Sequence, residues 1–160
     1  MNLKFHQVAF VVKDLDAAVK YWADILGIRP WNIWTMTGEK IHDTKWGGKQ
    51  TEFGIRHALA WVGEQQFELV QPLHGQEMFA DQLSEMGDGF SHIGAIVPDH
   101  EAAILELENR GFVVLQSARF GESADGRFAY LRHPDYPVVI EVILPPTKRY
   151  EPDYIYPKEP

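Results

Sequence analysis

The sequence predicts an α+β fold made of two tandem modules, each contributing one helix and several strands. Three observations predict it. The chain repeats itself with a period of about 86 residues. In each half a β-rich run begins at a histidine and passes through an aspartate into an amphipathic stretch. Each half also carries a glutamate in the middle of an otherwise apolar strand. A fixed internal period constrains a fold more than local propensity does.

The first module starts with His6-Gln7-Val8-Ala9-Phe10-Val11-Val12-Lys13-Asp14, continues through Ala17-Ala18 and reaches Gly27. Its counterpart is His92-Ile93-Gly94-Ala95-Ile96-Val97-Pro98-Asp99, then Ala102-Ala103 and Gly111, with one or two single-residue gaps aligning the two. Aspartate serves as an N-cap and glycine closes a helix at its C-terminal end, so each run reads as a strand leading into a helix. Ala18, Trp22 and Ile25 recur at helical spacing in the first copy, as do Ala103, Leu107 and their neighbours in the second, giving each helix an apolar face for a sheet.

Strand-like runs follow each helix. They are His57 to Val62 and Phe67 to Val70 in the first half, and Val113 to Ser117, Phe128 to Arg132 and Val138 to Ile143 in the second. Turn signals separate them at Gly63-Glu64 and at His133-Pro134-Asp135-Tyr136-Pro137. The expected organisation is a first module over 1–86, with a turn-rich insertion at 31–50 and a linking helix at 76–86, a second module over 87–146, and an extended C-terminal arm over 147–160.

A chain of 160 residues with 45% hydrophobic content can bury a real core. A net charge of -8 argues against nucleic-acid binding, because no general basic surface faces a phosphate backbone. An anionic ligand then needs a local positive centre. There are no cysteines, so disulfides, zinc-thiolate sites and thiol nucleophiles are excluded together. No apolar stretch approaches the roughly 18 residues that cross a bilayer. The chain is therefore read as a soluble cytoplasmic protein with no membrane partner.

An ionised glutamate inside an apolar strand is costly unless a cation or strong donors compensate it. Glu68, in Gln66-Phe67-Glu68-Leu69-Val70, and Glu141, in Val139-Ile140-Glu141-Val142-Ile143, occupy equivalent places in the repeat, as do His6 and His92. A pseudo-two-fold axis would bring all four to one point. Imidazole and carboxylate donors without thiolate suit one divalent ion among Co, Ni, Zn, Mn and Fe, with positions left for water or substrate. Singly, each residue has a plainer reading: His6 as a satisfied strand histidine, Glu141 as an edge-strand carboxylate facing water. The joint recurrence favours the metal. His74, His100 and His133 fall outside the repeat and are expected at the surface.

These residues resemble the vicinal-oxygen-chelate superfamily, the group of glyoxalases, bleomycin-resistance proteins and dioxygenases, nearly to Pro146. The look is nearest to the methylmalonyl-CoA epimerase family. It rests on the His6 to Val12 run, Phe67-Glu68-Leu69-Val70-Gln71-Pro72-Leu73, Ser91-His92-Ile93-Gly94, the His133-Pro134 turn and Val139-Ile140-Glu141. The resemblance implies paired βαβββ modules forming a cup-shaped mixed sheet around the metal, and a homodimer. It also implies a substrate with two chelating oxygens, such as an acyl-CoA, whose α-proton moves through a metal-bound enediolate.

Two departures matter. The insertion carries Trp31, Trp34 and Trp46, which are expected to shape the pocket entrance. Some epimerases place a free glutamate on the strand before the second ligand, where this chain reads Ile55-Arg56-His57-Ala58-Leu59-Ala60-Trp61. If Gly63-Glu64 is a two-residue hairpin loop, Val62 faces Gln65 and Leu59 faces Glu68, so His57, Leu59 and Trp61 share the Glu68 face. His57 then becomes the candidate general acid/base beside a metal-bound Glu141, imidazole being suited to moving protons at neutral pH. The plainer reading of His57 is a solvent-exposed residue at a strand start. Three other activities stay open: a glyoxalase-I-like lyase with the same ligands, an extradiol-type dioxygenase, and a metal-free drug-binding protein. Glu68 as a fourth ligand argues against the dioxygenase, and a complete ligand set argues against the drug binder.

Overall fold

The computed structural model describes residues 3–75 and 77–158. The first half runs β1 (Phe5–Val11), α1 (Leu15–Asp24), β2 (Trp31–Met36), β3 (Ile41–Trp46), β4 (Lys49–Gln50), β5 (Phe53–Val62) and β6 (Gln65–Gly75). After α2 (Met78–Met86) come β7 (Gly89–Ile96), α3 (His100–Glu108), β8 (Val113–Phe120), β9 (Gly126–His133) and β10 (Tyr136–Leu144), with β11 (Tyr154–Tyr156) last. Gln76, the expected start of the linking helix, lies outside the described residues; the helix begins at Met78, with Glu77 as its cap.

The eleven strands among the described residues join one sheet in the order β11-β2-β5-β6-β1-β7-β10-β9-β8-β3-β4. β1 and β7 form an antiparallel seam at its centre, each flanked by a parallel neighbour, β6 and β10. α1 packs on the β5 and β6 side through Leu15, Val19 and Ala23, and α3 covers the second half through Ala103 and Leu107. The opposite, inner face gathers Met36, Ile55 and Val70 from one half with Ala118, Phe128 and Tyr130 from the other, plus Met78 and Phe79 of α2. Residues from both wings meet there only because the sheet curls into a cup.

Asp14 accepts a hydrogen bond from the Ala17 amide, and Asp99 accepts one from the Ala102 amide, each at 3.0 Å. These caps start α1 and α3 at equivalent points. The buried stripe of α1 runs one position away from the expected one: Ala18 and Trp22 flank it half-buried, and Ile25 is 68% exposed beyond the last helical turn.

The segment 31–50 is more ordered than a turn-rich insertion. β2 is the edge neighbour of β5, as β8 is of β9, so it is part of the module itself. β3 and β4 are the added pieces, and they cross over to extend the second half beyond β8. In return β11, from the C-terminal arm, pairs with β2 at the outer edge of the first half. Trp31 is fully buried under α1, away from the inner face, where the ring of Trp22 meets it edge-on at 6.1 Å. That removes Trp31 from the set expected at the pocket entrance. Trp46 packs on the inner cluster, and Trp34 packs against His57 with ring centres 5.4 Å apart. His74 is exposed and His133 half-buried, but His100 is buried at the start of α3, against the surface position expected for it.

Candidate metal centre

The β5–β6 hairpin has the register that a Gly63-Glu64 turn dictates: Val62 pairs with Gln65 and Leu59 with Glu68. Gly63 adopts a positive φ of 61°, which glycine reaches without strain. Side-chain alternation then sets His57 on the face of Glu68, and its Nδ1 lies 2.8 Å from Glu68 Oε1. The other carboxylate oxygen, Oε2, lies 3.3 Å from His92 Nε2, and Glu141 Oε2 lies 3.2 Å from the same nitrogen. Ligand atoms of Glu68, His92 and Glu141 all fall within 4.8 Å of one another, and all three residues are buried.

His6 is not part of this group. It lines the same cavity, stacks on Trp61 with ring centres 6.3 Å apart, and keeps a buried Nδ1 without a hydrogen-bond partner. The strand register explains the difference. Across the β1–β7 seam Ala9 faces His92, and Gln7 faces Gly94. Ala9 also lies beside Glu68, as Gly94 lies beside Glu141. Under the pseudo-two-fold Ala9 therefore corresponds to Gly94, and Gln7, not His6, corresponds to His92. A bulge between Phe5 and Gln7 takes His6 out of the pairing, and a period of 86 anchored on the two histidines is one residue longer than the 85 that relates Gln7 to His92. Counting back seven residues from each capping aspartate, Asp14 and Asp99, reaches Gln7 and His92, so the signal was present in the sequence.

Gln7 is 4% exposed, and its Nε2 donates to Gln66 Oε1 at 3.0 Å. That bond leaves Gln7 Oε1 buried without a partner, like Glu68 Oε2, His92 Nε2 and Glu141 Oε2. Gly94 makes room for it, since a Cβ there would stand 2.3 Å from Gln7 Oε1. Four buried, unsatisfied atoms, three oxygens and one nitrogen, at the four symmetry-related corners fit a divalent cation, because uncompensated burial of such groups costs several kcal/mol.

The surroundings orient His92 toward the two carboxylates. Ser91 Oγ donates to Gln82 Oε1 at 2.6 Å, so its lone pair faces His92 Nδ1 at 3.1 Å. Nδ1 then carries the hydrogen in the neutral ring, and Nε2 presents a lone pair. Burial works against a charged His92, but Glu141 and Glu68 outweigh it and lift its pKa to about 9 when no ion intervenes. Burial likewise opposes ionisation of Glu68, yet His57 and His92 hold its pKa below the usual carboxylate range. Glu141 is pushed up, by burial first and by the negative charge of Glu68, against the pull of His92 and of Tyr130.

These groups face a cavity of about 60 Å³ lined also by Met36, Ile41, Phe120 and Phe128. Arg149, from the C-terminal arm, lines it as well, a residue that no motif or repeat position singles out.

Residues 6–130 match the sequence model of the glyoxalase/bleomycin resistance protein/dioxygenase superfamily. A search of curated proteins returns no significant match. Among solved structures, the chain is similar to methylmalonyl-CoA epimerase from Mycobacterium tuberculosis, with 25% identity, a TM-score of 0.63, and 89% of this chain and 87% of that one covered. A methylmalonyl-CoA epimerase in complex with methylmalonyl-CoA is 20% identical with a TM-score of 0.66, covering 93% and 99% of the two chains. A variant of the Streptomyces coelicolor epimerase, in complex with 2-nitronate-propionyl-CoA, is 20% identical with a TM-score of 0.63, covering 89% and 98%. No helix among the described residues is long and apolar enough to cross a membrane.

Proposed function

We propose, from the premise that the chain belongs to the glyoxalase/bleomycin resistance protein/dioxygenase superfamily, that it is a metal-dependent epimerase or isomerase moving a proton α to a carbonyl. The observation that carries this reading is the convergence of Glu68, His92 and Glu141, with an imidazole, His57, held against one of the carboxylates. Gln7 completes the set in place of His6. Three oxygens and one nitrogen form a harder donor set than two imidazoles would, which shifts preference within the divalent ions toward Mn and Co. Bound there, such an ion supplies Lewis-acid stabilisation of the negative charge that develops on two substrate oxygens.

The chain's own residues do the rest. With Glu68 ionised, His57 Nδ1 donates to it, so Nε2 carries the free lone pair and takes the α-proton. Glu68 orients that base and disperses the charge it acquires. Tyr130 hydrogen-bonds Glu141, the second carboxylate of the set, which would serve as an ionised ligand and take part in returning the proton only once released from the ion as substrate binds. Apolar walls at Met36, Ile41 and Phe128 exclude water and strengthen each of these interactions. The substrate that best unites a chelating pair of oxygens with an acidic α-proton is a 2-carboxyacyl-CoA, the class bound by the structural neighbours.

The test is metal analysis of protein purified without chelator, followed by a panel of acyl-CoA epimers and thiol hemithioacetals in deuterated water. Deuterium entering the α-position of an acyl-CoA, and lost with His57→Ala, supports the epimerase. Turnover confined to hemithioacetals moves the assignment to a lyase, and an ion-free protein inactive on both panels overturns the reading.

A further inference from the structure

The C-terminal arm is a strap across the mouth of the cup. Pro146 packs on Gly121 and Gly126 of the β8–β9 turn, Thr147 bonds Asp125, and Lys148 O accepts the Glu122 amide at 3.1 Å, so the strap leaves from the second half. It arrives on the first half one residue after Arg149, where Tyr150 O accepts the Trp34 indole N–H at 2.9 Å and the Tyr150 hydroxyl donates to Glu39 O at 3.0 Å. Arg149 is the residue between the two anchorages. Its guanidinium lies 5.7 Å from the centre of the Phe120 ring and lines the cavity beside His57, Glu68 and Glu141. It is solvent-accessible, and among the described residues no hydrogen bond or ion pair engages it.

The charges decide what such a group is for. Glu68 and Glu141 together balance a divalent ion, and among the described residues Arg149 is the one lysine or arginine on the cavity wall. A loaded site therefore holds one positive charge more than its ligands neutralise. A guanidinium presents a planar fork of donors that matches a carboxylate. We infer that Arg149 is the specificity-determining residue for the substrate's anionic group, a carboxylate seated between the ion and the strap. This deepens the metal-dependent reading above and rests on it. It also makes the strap part of the binding site, since Arg149 lines the same cavity as Glu68 and Glu141.

Wild-type, Arg149→Gln and Arg149→Lys proteins are loaded with Co²⁺, their uptake and melting are recorded, and binding is measured by calorimetry with two probes. Malonate chelates through one oxygen of each carboxylate and keeps a second carboxylate oxygen free on each for a guanidinium; acetohydroxamate chelates through both of its oxygens and keeps none. Arg149→Gln is expected to weaken malonate at least about tenfold and acetohydroxamate less than about threefold, with Arg149→Lys between on malonate, since a charge-assisted bond is the interaction removed. Unchanged malonate affinity overturns the inference, as does an equal loss for both probes, which would make Arg149 a support for the ion alone. Failure of the wild type to take up cobalt overturns it together with the metal reading, and is seen before any anion is added. If Arg149→Gln does not fold, Arg149→Lys alone carries the comparison.

Discussion

His57 Nδ1 stands 2.8 Å from Glu68 Oε1 while Glu68 Oε2 turns toward His92 Nε2 at 3.3 Å, so the two oxygens of one carboxylate face two different imidazoles. His57→Ala is expected to lower turnover by roughly a hundredfold or more and leave metal content unchanged, because the imidazole touches Glu68 through the oxygen that the ion does not use. Glu141→Ala is expected to lower both. Steady-state rates beside elemental analysis of each variant separate the two roles.

Replacing Gln7 by Ala is expected to weaken divalent-ion affinity at least about tenfold, whereas His6→Ala changes it less than about threefold. Gln7→His restores or raises affinity and moves preference toward Zn. Competition with a chromophoric chelator measures all three. The opposite ranking would return the first corner to His6.

Ser91→Ala and Gln82→Ala remove the chain of bonds that fixes the His92 tautomer without touching the ion. Each is expected to cost roughly ten- to a hundredfold in metal affinity. Affinities equal to wild type would show that His92 needs no outside orientation.

A raised pKa gives His92 a definite pH signature. Charged His92 stabilises the metal-free fold fully below its ordinary value of 6.5, and that contribution fades as pH rises through about 9. The metal-free melting temperature is therefore expected to fall across this window. Metal affinity is expected to rise over the same range, because the ion displaces the proton. Calorimetry in buffers of different ionisation enthalpy reads the released proton directly.

Asp153 accepts from the Thr35 amide at 2.6 Å and pairs with Lys40 at 2.5 Å, fastening β11 to the first half. Asp153→Ala is expected to cost about 1 kcal/mol, discounted for the solvent that reaches both side chains, and to lower the melting temperature by roughly 2–4 °C. Thermal melts and proteolysis within residues 147–158 check it.

Much of this was legible beforehand. The α+β class, both N-caps, the hairpin register and the pairing of Glu68 with His57 follow from local rules, since turn length and side-chain alternation act over a few residues. The repeat anchored on the two histidines sets His6 opposite His92, whereas the spacing to the capping aspartates sets Gln7 there, since Asp14 follows Gln7 by the same seven residues by which Asp99 follows His92. The β3–β4 hairpin across Gly47-Gly48 is a local signal that went unread, whereas β2 and β3 were hidden because their partners β5 and β8 lie far along the chain, and non-local pairing leaves little local trace. The same holds for Arg149, whose place depends on where the strap docks.

The exchange of outer strands sets an order of events during synthesis. β3 and β4 emerge long before β8 exists to receive them, and the outer edge of β2 stays unpaired until Tyr154 to Tyr156 have been made. Unpaired strand edges are where a nascent chain joins the wrong neighbour. Neither half has its complete set of edges before the other is present, so a fragment ending at α2 would leave β2 open on one side and β3 without its partner. The repeat is legible in the residues, but the crossed strands make the two halves complete only together.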